Sequence, residues 1–275
     1  MTEIDINSAT AGFLVHRAAR LEYPFYEEGI RFSTELVEML NTAQAGSCRT
    51  VLFEEQYGEM GRVHWLVGLR NPNDYKLLLK MIDHDEKWRQ WAAMDRLPTR
   101  GGGKWHKIFV EGAISEHVMC PQHGVGGGHE DLKDDDLYFQ PPARHQSALP
   151  LSQLIHSDNA AVMVHRSLRV FYQVREEARF YLFRWAQRIT QALAGQVSAY
   201  TYEEMWGIQD RLHALIHFRT PDAVERLAEF EREDKQLRTI QAVEYAPGTP
   251  GNGLWHHLIV PGTVKDVVLT PAARR

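Results

Sequence analysis

Cysteine is scarce. Only Cys48 and Cys120 occur in 275 residues, too few for the disulfide frameworks that staple small secreted domains, so a reduced, cytoplasmic setting is expected. Excess positive charge is absent as well. Lys and Arg total 31 against 36 Asp and Glu, a net charge of -5, which leaves no basic footprint for nucleic acid. No apolar run is long enough to span a bilayer, and no membrane partner is expected. The opening MTEIDINSATAGF has no basic region leading into an apolar one, so no signal peptide is read there. Also missing are a P-loop, a G-x-G-x-x-G opening a helix, a G-x-S-x-G and an H-E-x-x-H. Their absence removes the common nucleotide-binding enzymes, serine hydrolases and zincins.

What the chain does have is a match to itself. GFLVHRAARLEY, ending at Tyr23, aligns with VMVHRSLRVFY, ending at Tyr172, so that His16 meets His165 at a distance of 149 residues. The same offset pairs EEQYGEMGRVHWLVGLRNP with EEMWGIQDRLHALIHFRTP. One residue further apart, GKWHKIFVEG aligns with GLWHHLIVPG. A nearly ungapped match of this length indicates duplication.

Each copy reads β-α-β-β-α-β, the ferredoxin-like unit. In the first, GFLVHRAARLEY alternates as a strand, and a helix follows from Pro24 to just before Gly46. TVLFEEQYG and RVHWLVGLR are strands joined by a GEMG turn. A second helix runs from Pro72 through NDYKLLLKMIDHDEKWRQWAA, and KWHKIFVEGA is the expected last strand. The expected boundaries are residues 12–119 for the first repeat, 120–160 for a Gly-, Pro- and Asp-rich surface linker, and 161–271 for the second repeat. The fold class is therefore α+β, with two tandem units.

Two helices cover one face of a four-stranded sheet, and the other face must find a partner. In RVHWLVGLR, Val63, Trp65, Val67 and Leu69 share the helix side, while Arg62, His64, Leu66, Gly68 and Arg70 share the other. Leu212, Ala214, Ile216 and Phe218 repeat the first pattern, and Arg211, His213, Leu215, His217 and Arg219 the second. Phe13, Val15, Ala19 and Leu21 face the helices with Arg17 as an exception, and His16 faces away with Leu14. Two such faces packed together make one barrel with His and Arg inside it, a half-buried cavity.

The segment EEQYGEMGRVHWLVGLRNPNDYKLLLKMIDHDEKW resembles the NIPSNAP-like branch of the dimeric α/β-barrel superfamily, and its counterpart from Glu203 does so too. The resemblance implies an intrachain version of the paired barrel. It implies a small-molecule enzyme, a cofactor-independent oxygenase or cyclase acting on an aromatic or polyketide-like molecule in the barrel cavity. The alternatives are a non-catalytic ligand or haem carrier and a structural or interaction module. A homodimer of whole chains is compatible with each of these.

His16, His64, His165, His213 and His217 are the candidate catalytic residues, since half-buried imidazoles act as general acids and bases. Their alternative role is hydrogen bonding to Glu, Arg or carbonyl groups inside the barrel. His217 has no counterpart in the first copy, where Gly68 stands. Arg62, Arg70, Arg211 and Arg219 are candidate binders of a carboxylate, phenolate or enolate, or else partners of Glu54, Glu55, Glu203 and Glu204. His106 and His256 join the substrate-binding candidates, with edge packing as their alternative. No metal is expected. Cys120, His123 and His129, with Asp131 or His145 as a fourth ligand, match no common zinc spacing and read as a Gly-rich loop.

Overall fold

The computed structural model describes residues 5–122 and 139–272. Eight strands close into one antiparallel barrel in the order β1-β3-β2-β8-β5-β7-β6-β4. The strands are β1 (Phe13–Arg20), β2 (Cys48–Tyr57), β3 (Arg62–Leu69), β4 (Ser115–Pro121), β5 (Val162–Arg169), β6 (Val197–Trp206), β7 (Arg211–Phe218) and β8 (Lys265–Pro271). The helices are α1 (Tyr26–Ala43), α2 (Pro72–His84), α3 (Glu86–Ala93), α4 (Pro142–His145), α5 (Arg175–Ala192), α6 (Asp222–Glu233), α7 (Lys235–Gln241) and α8 (Trp255–Leu258). None is long and apolar enough to cross a membrane.

Alternation sorts each strand's side chains between two cores. Val63 and Trp65 pack with Leu21, Phe32 and Leu52, and Val67 and Leu69 with Leu40, Leu78 and Trp88, on the helix side. Leu14, Phe53, Leu66 and Met119 meet Met163, Tyr200, Tyr202, Leu215 and Leu269 inside the barrel. Closure depends on exchange between the halves. β4 pairs with β1 and also with β6, and β8 pairs with β5 and also with β2. Every strand thus has two neighbours and no edge is left open.

Three expectations are corrected. First, KWHKIFVEGA is not a strand. Trp105–Ile108 is a short 3-10 turn, and the last strand of that half is β4. Ile108 and Phe109 are buried against Phe32, so burial rather than a ladder accounts for the apolar run. The stretch aligned with it in the second half forms α8, and β8 follows. Second, the helix from Pro72 breaks at Asp85, whose carboxylate accepts the Lys87 backbone N–H and so starts α3. Asp234 does the same between α6 and α7. Third, residues 139–160 do not lie wholly at the surface. Leu154, Ile155 and Ala160 are buried, and Leu154, with Ala143 and Leu149, packs beside Ile6, Ala9 and Ala11 to plug one end of the barrel. Tyr202 donates to the Ser8 carbonyl at 2.7 Å, and Ser8 and Ser157 exchange hydrogen bonds through their hydroxyls and backbone N–H groups.

Candidate functional site

Inside the barrel, away from the plug, the inward side chains are polar. β1 brings His16 and β3 brings His64, with 2.9 Å between His16 Nε2 and His64 Nδ1. His64 Nε2 lies 3.3 Å from Glu55 Oε2 on β2. β5, β7 and β6 repeat this with His165, His213 and Glu204, at 2.9 Å and 3.4 Å. The His16 and His165 rings meet edge to face, 4.5 Å apart. The four imidazoles of this six-membered row therefore cannot all donate at once, and the carboxylates at its two ends fix the order. Each glutamate accepts from Nε2–H of His64 or His213, whose Nδ1 then accepts from Nε2–H of His16 or His165. Lone pairs then remain on Nδ1 of His16 and of His165, and that of His16 is buried without a hydrogen-bond partner.

The electrostatics agree with neutral imidazoles. Burial holds His16 and His165 well below the usual histidine range, and neighbouring imidazoles lower them further. Burial also lowers His64 and His213, against the opposing pull of Glu55 and Glu204. For the carboxylates, burial alone would raise the pKa. Hydrogen bonds from His64 and the Glu59 N–H outweigh it at Glu55, and bonds from His117, His213 and the Ile208 N–H outweigh it at Glu204.

The Glu-Gly turns read from the sequence position these carboxylates. Gly58 and Gly207 have φ of 146° and 145°, and a Cβ there would stand 1.8 Å and 2.1 Å from Oε1 of Glu55 and Glu204. Only glycine leaves that space and takes that conformation.

The structure brings together His16, His64, His165 and His213, with Arg62 and Arg211 at the rim. Arg211 lies 2.9 Å from Glu204, and Arg62 is 3.0 Å from Glu59 and 4.0 Å from Glu55. His217 is elsewhere, at the plugged end, 2.9 Å from the Ser8 hydroxyl. Arg70 points out of the barrel to Asp74, and Arg219 is exposed. His106 and His256 are exposed on their short helical turns, because the segments that carry them are not strands. His123, His129 and Asp131 lie outside the described residues. Burial pushes the Cys120 thiol up to about 12, and His145 Nε2 is 2.9 Å from the Gln122 carbonyl.

Two features escaped sequence reasoning. The first is His117 on β4, inward-facing and 3.4 Å from Glu204. The alternation of Ser115, His117 and Met119 against Glu116, Val118 and Cys120 was its signal. The second is a cavity of about 480 Å³ on the other side of the sheet, between β1, β3 and β4 and the helices α1 to α3. Phe32, Trp65, Trp88, Trp91, Trp105 and Phe109 line it. Its polar edge is Arg17, whose Nε donates to Glu116 at 2.8 Å, and Tyr75, whose hydroxyl donates to the other Glu116 oxygen at 3.0 Å. Leu79 and Ile114, 40% and 51% exposed, line it as well and leave apolar surface at its opening.

In the second half large side chains stand buried at the matching positions. Trp185, 3% exposed, stands 149 residues after Leu36, and its indole N–H donates to Glu231 at 3.0 Å. Tyr181 stacks on Trp255 with centroids 5.6 Å apart. The open cavity does not suit haem. Its lining offers no histidine or cysteine to ligate iron, and Tyr75, with burial first and Glu116 second, is held above the usual phenol range.

Among solved structures, the chain is similar to two named "putative monooxygenase". One, from Lactobacillus acidophilus, shares 9% identity at a TM-score of 0.54, covering 95% of this chain and 94% of that one. The other, from Fusobacterium nucleatum, shares 7% at 0.55, covering 96% and 93%. An anthrone oxidase-like protein shares 10% at 0.54, covering 97% and 93%. At these identities the likeness is one of fold, the dimeric α/β barrel. No functionally curated protein matches the chain. The sequence signature of one family, described as a family of unknown function, DUF6039, matches residues 2–275, and the chain belongs to that family.

Proposed function

We propose that the protein is a small-molecule enzyme of the oxygenase or cyclase class that takes an aromatic, polyketide-like substrate into the tryptophan-lined cavity of its first half. The carrying observation is that cavity, with six aromatic side chains and one Arg-Glu-Tyr edge. Large flat side chains suit a large flat ligand, and a few convergent polar groups fix its orientation. This places the substrate outside the barrel lumen, where the sequence reading put it.

The chemistry follows from the polar edge. Glu116 takes a proton from a C–H or O–H made acidic by conjugation, and the Arg17 guanidinium holds the resulting enolate or phenolate. A carboxylate base suffices only for such acidic substrates. Dioxygen, which such an enolate can reduce, would be the oxidant in the oxygenase version. The barrel histidines then hold the strands in register, the role of internal partners.

The monooxygenase and anthrone oxidase-like names of the fold relatives support the same class. In this reading residues 12–119 and 161–271 are duplicated ferredoxin-like units, as the NIPSNAP-like resemblance implies. Matching registers of β1 on β3 and β5 on β7 support it. Duplication would have left one cavity open and filled the other.

The test is to mix the protein with a tricyclic hydroxy-ketone and follow oxygen uptake and tryptophan fluorescence. Saturable quenching with oxygen uptake that Glu116→Gln abolishes is expected. Quenching without turnover would instead establish a ligand carrier, and no quenching at all would defeat the proposal.

A further inference from the structure

We propose that His117, Glu204 and His213 form a binding site for one divalent transition cation, of the zinc or cobalt kind, near the mouth of the barrel bordered by Arg211. The ligand atoms lie within 4.8 Å of one another. Glu204 Oε2 is 3.4 Å from His117 Nδ1 and 3.4 Å from His213 Nε2. Metal–ligand bonds of about 2.0–2.2 Å in tetrahedral geometry put ligand atoms about 3.4 Å apart. Two of the three spacings therefore already suit a bound ion, and two imidazoles with one carboxylate are a donor set for such cations.

The surroundings supply what a metal site needs. His213 Nδ1 is 2.9 Å from His165 Nε2, so on ligation its N–H would donate to His165, which fixes the ring and its tautomer. His213 and Glu204 are buried, while the His117 side chain is 27% exposed and provides an entry path. Arg211 lies 2.9 Å from Glu204 and 3.3 Å from His117 Nδ1. Its guanidinium is the counter-charge of the metal-free site, and the ion would displace it toward solvent.

The first half acts as a control within the same chain. There Glu55, His64 and His16 repeat the arrangement, but β8 carries Val267 where β4 carries His117. Two ligands remain on that side. The asymmetry lies in that one residue: β4 and β8 both cross between the halves, and the crossing of β4 sets His117 from one half beside the His-Glu pair of the other. The site faces the barrel interior, whereas the neighbouring Glu116 faces the aromatic cavity, so neither reading depends on the other.

The experiment titrates the metal-stripped, untagged full-length chain with Co2+. One tightly held ion per chain is expected, with the visible bands of a four-coordinate site. Proton NMR should show two hyperfine-shifted imidazole N–H signals. One, from His117, exchanges quickly with water, and one, from His213, is protected by His165. His117→Val should lose the ion and the bands, while the double surface variant His256→Ala, His257→Ala keeps both. The proposal is overturned if the chain takes up no Co2+, if only fast-exchanging signals appear, or if His117→Val binds as well as the parent.

Discussion

A carboxylate placed by a glycine sets the protonation of each histidine row, and the cost of losing that glycine is measurable. Gly58→Ala forces either the backbone or the Glu55 side chain to move, since a Cβ would fall 1.8 Å from Oε1. A loss on the order of 1–3 kcal/mol is expected, read as a lower midpoint in urea unfolding, with Gly207→Ala behaving alike. His217 is a second residue-scale case. Burial first, and the nearby His156 imidazole second, lower it to about 3, and Ser8 and Tyr200 are its close neighbours. Its folded pKa lies below the unfolded value of 6.5, so the unfolded chain binds more protons between those limits. Stability is then retained above about pH 6.5 and falls as pH drops toward 3, by about 1.4 kcal/mol per pH unit for each such proton. His217→Gln should remove one proton from that slope, measured as unfolding free energy against pH. The sequence showed His16, His64, His165 and His213 because they recur at a fixed offset. It did not show His117, which the repeat could not flag because Val267 takes the matching place.

At the level of elements, patterning gave most of the layout. Strands β1, β2 and β3 and their partners in the second half alternate between an apolar face and a mixed one, and the period alone places them. β4 and β8 were misplaced because the more apolar stretches before them, around Ile108 and Leu258, are buried turns against α1 and α5. The break at Asp85 was legible in principle, since Asp is a strong helix starter. Asp85→Ala should cost about 1 kcal/mol by loss of the cap alone. Asp234→Ala should cost more, because Asp234 also holds Arg188, with one contact at 3.0 Å. Paired thermal melts of the two variants check the order. Residues 139–160 read as a linker from their composition, yet their few apolar side chains fill the barrel end. Composition does not say which short apolar runs find a partner.

At the scale of the molecule, closure was foreseeable from an unpaired sheet face, but which strands would cross between halves was not. That exchange has a consequence for the halves expressed apart. Each would expose the edges of β2 and β4, or of β6 and β8, and should pair with a second copy rather than remain a monomer. Light scattering of the separate halves reads this directly. The cavity was the least legible feature, since its lining comes from three strands and three helices whose packing no local pattern specifies. The second half shows how it can be filled without losing the fold, through Trp185 and its partner Glu231. Transferring that pair to the first half as Leu36→Trp with Ile82→Glu makes the most direct test. Calorimetric titration with the tricyclic ligand should show one site per chain in the parent and none in a folded double variant. Undiminished binding to the filled variant would contradict the cavity as the substrate site.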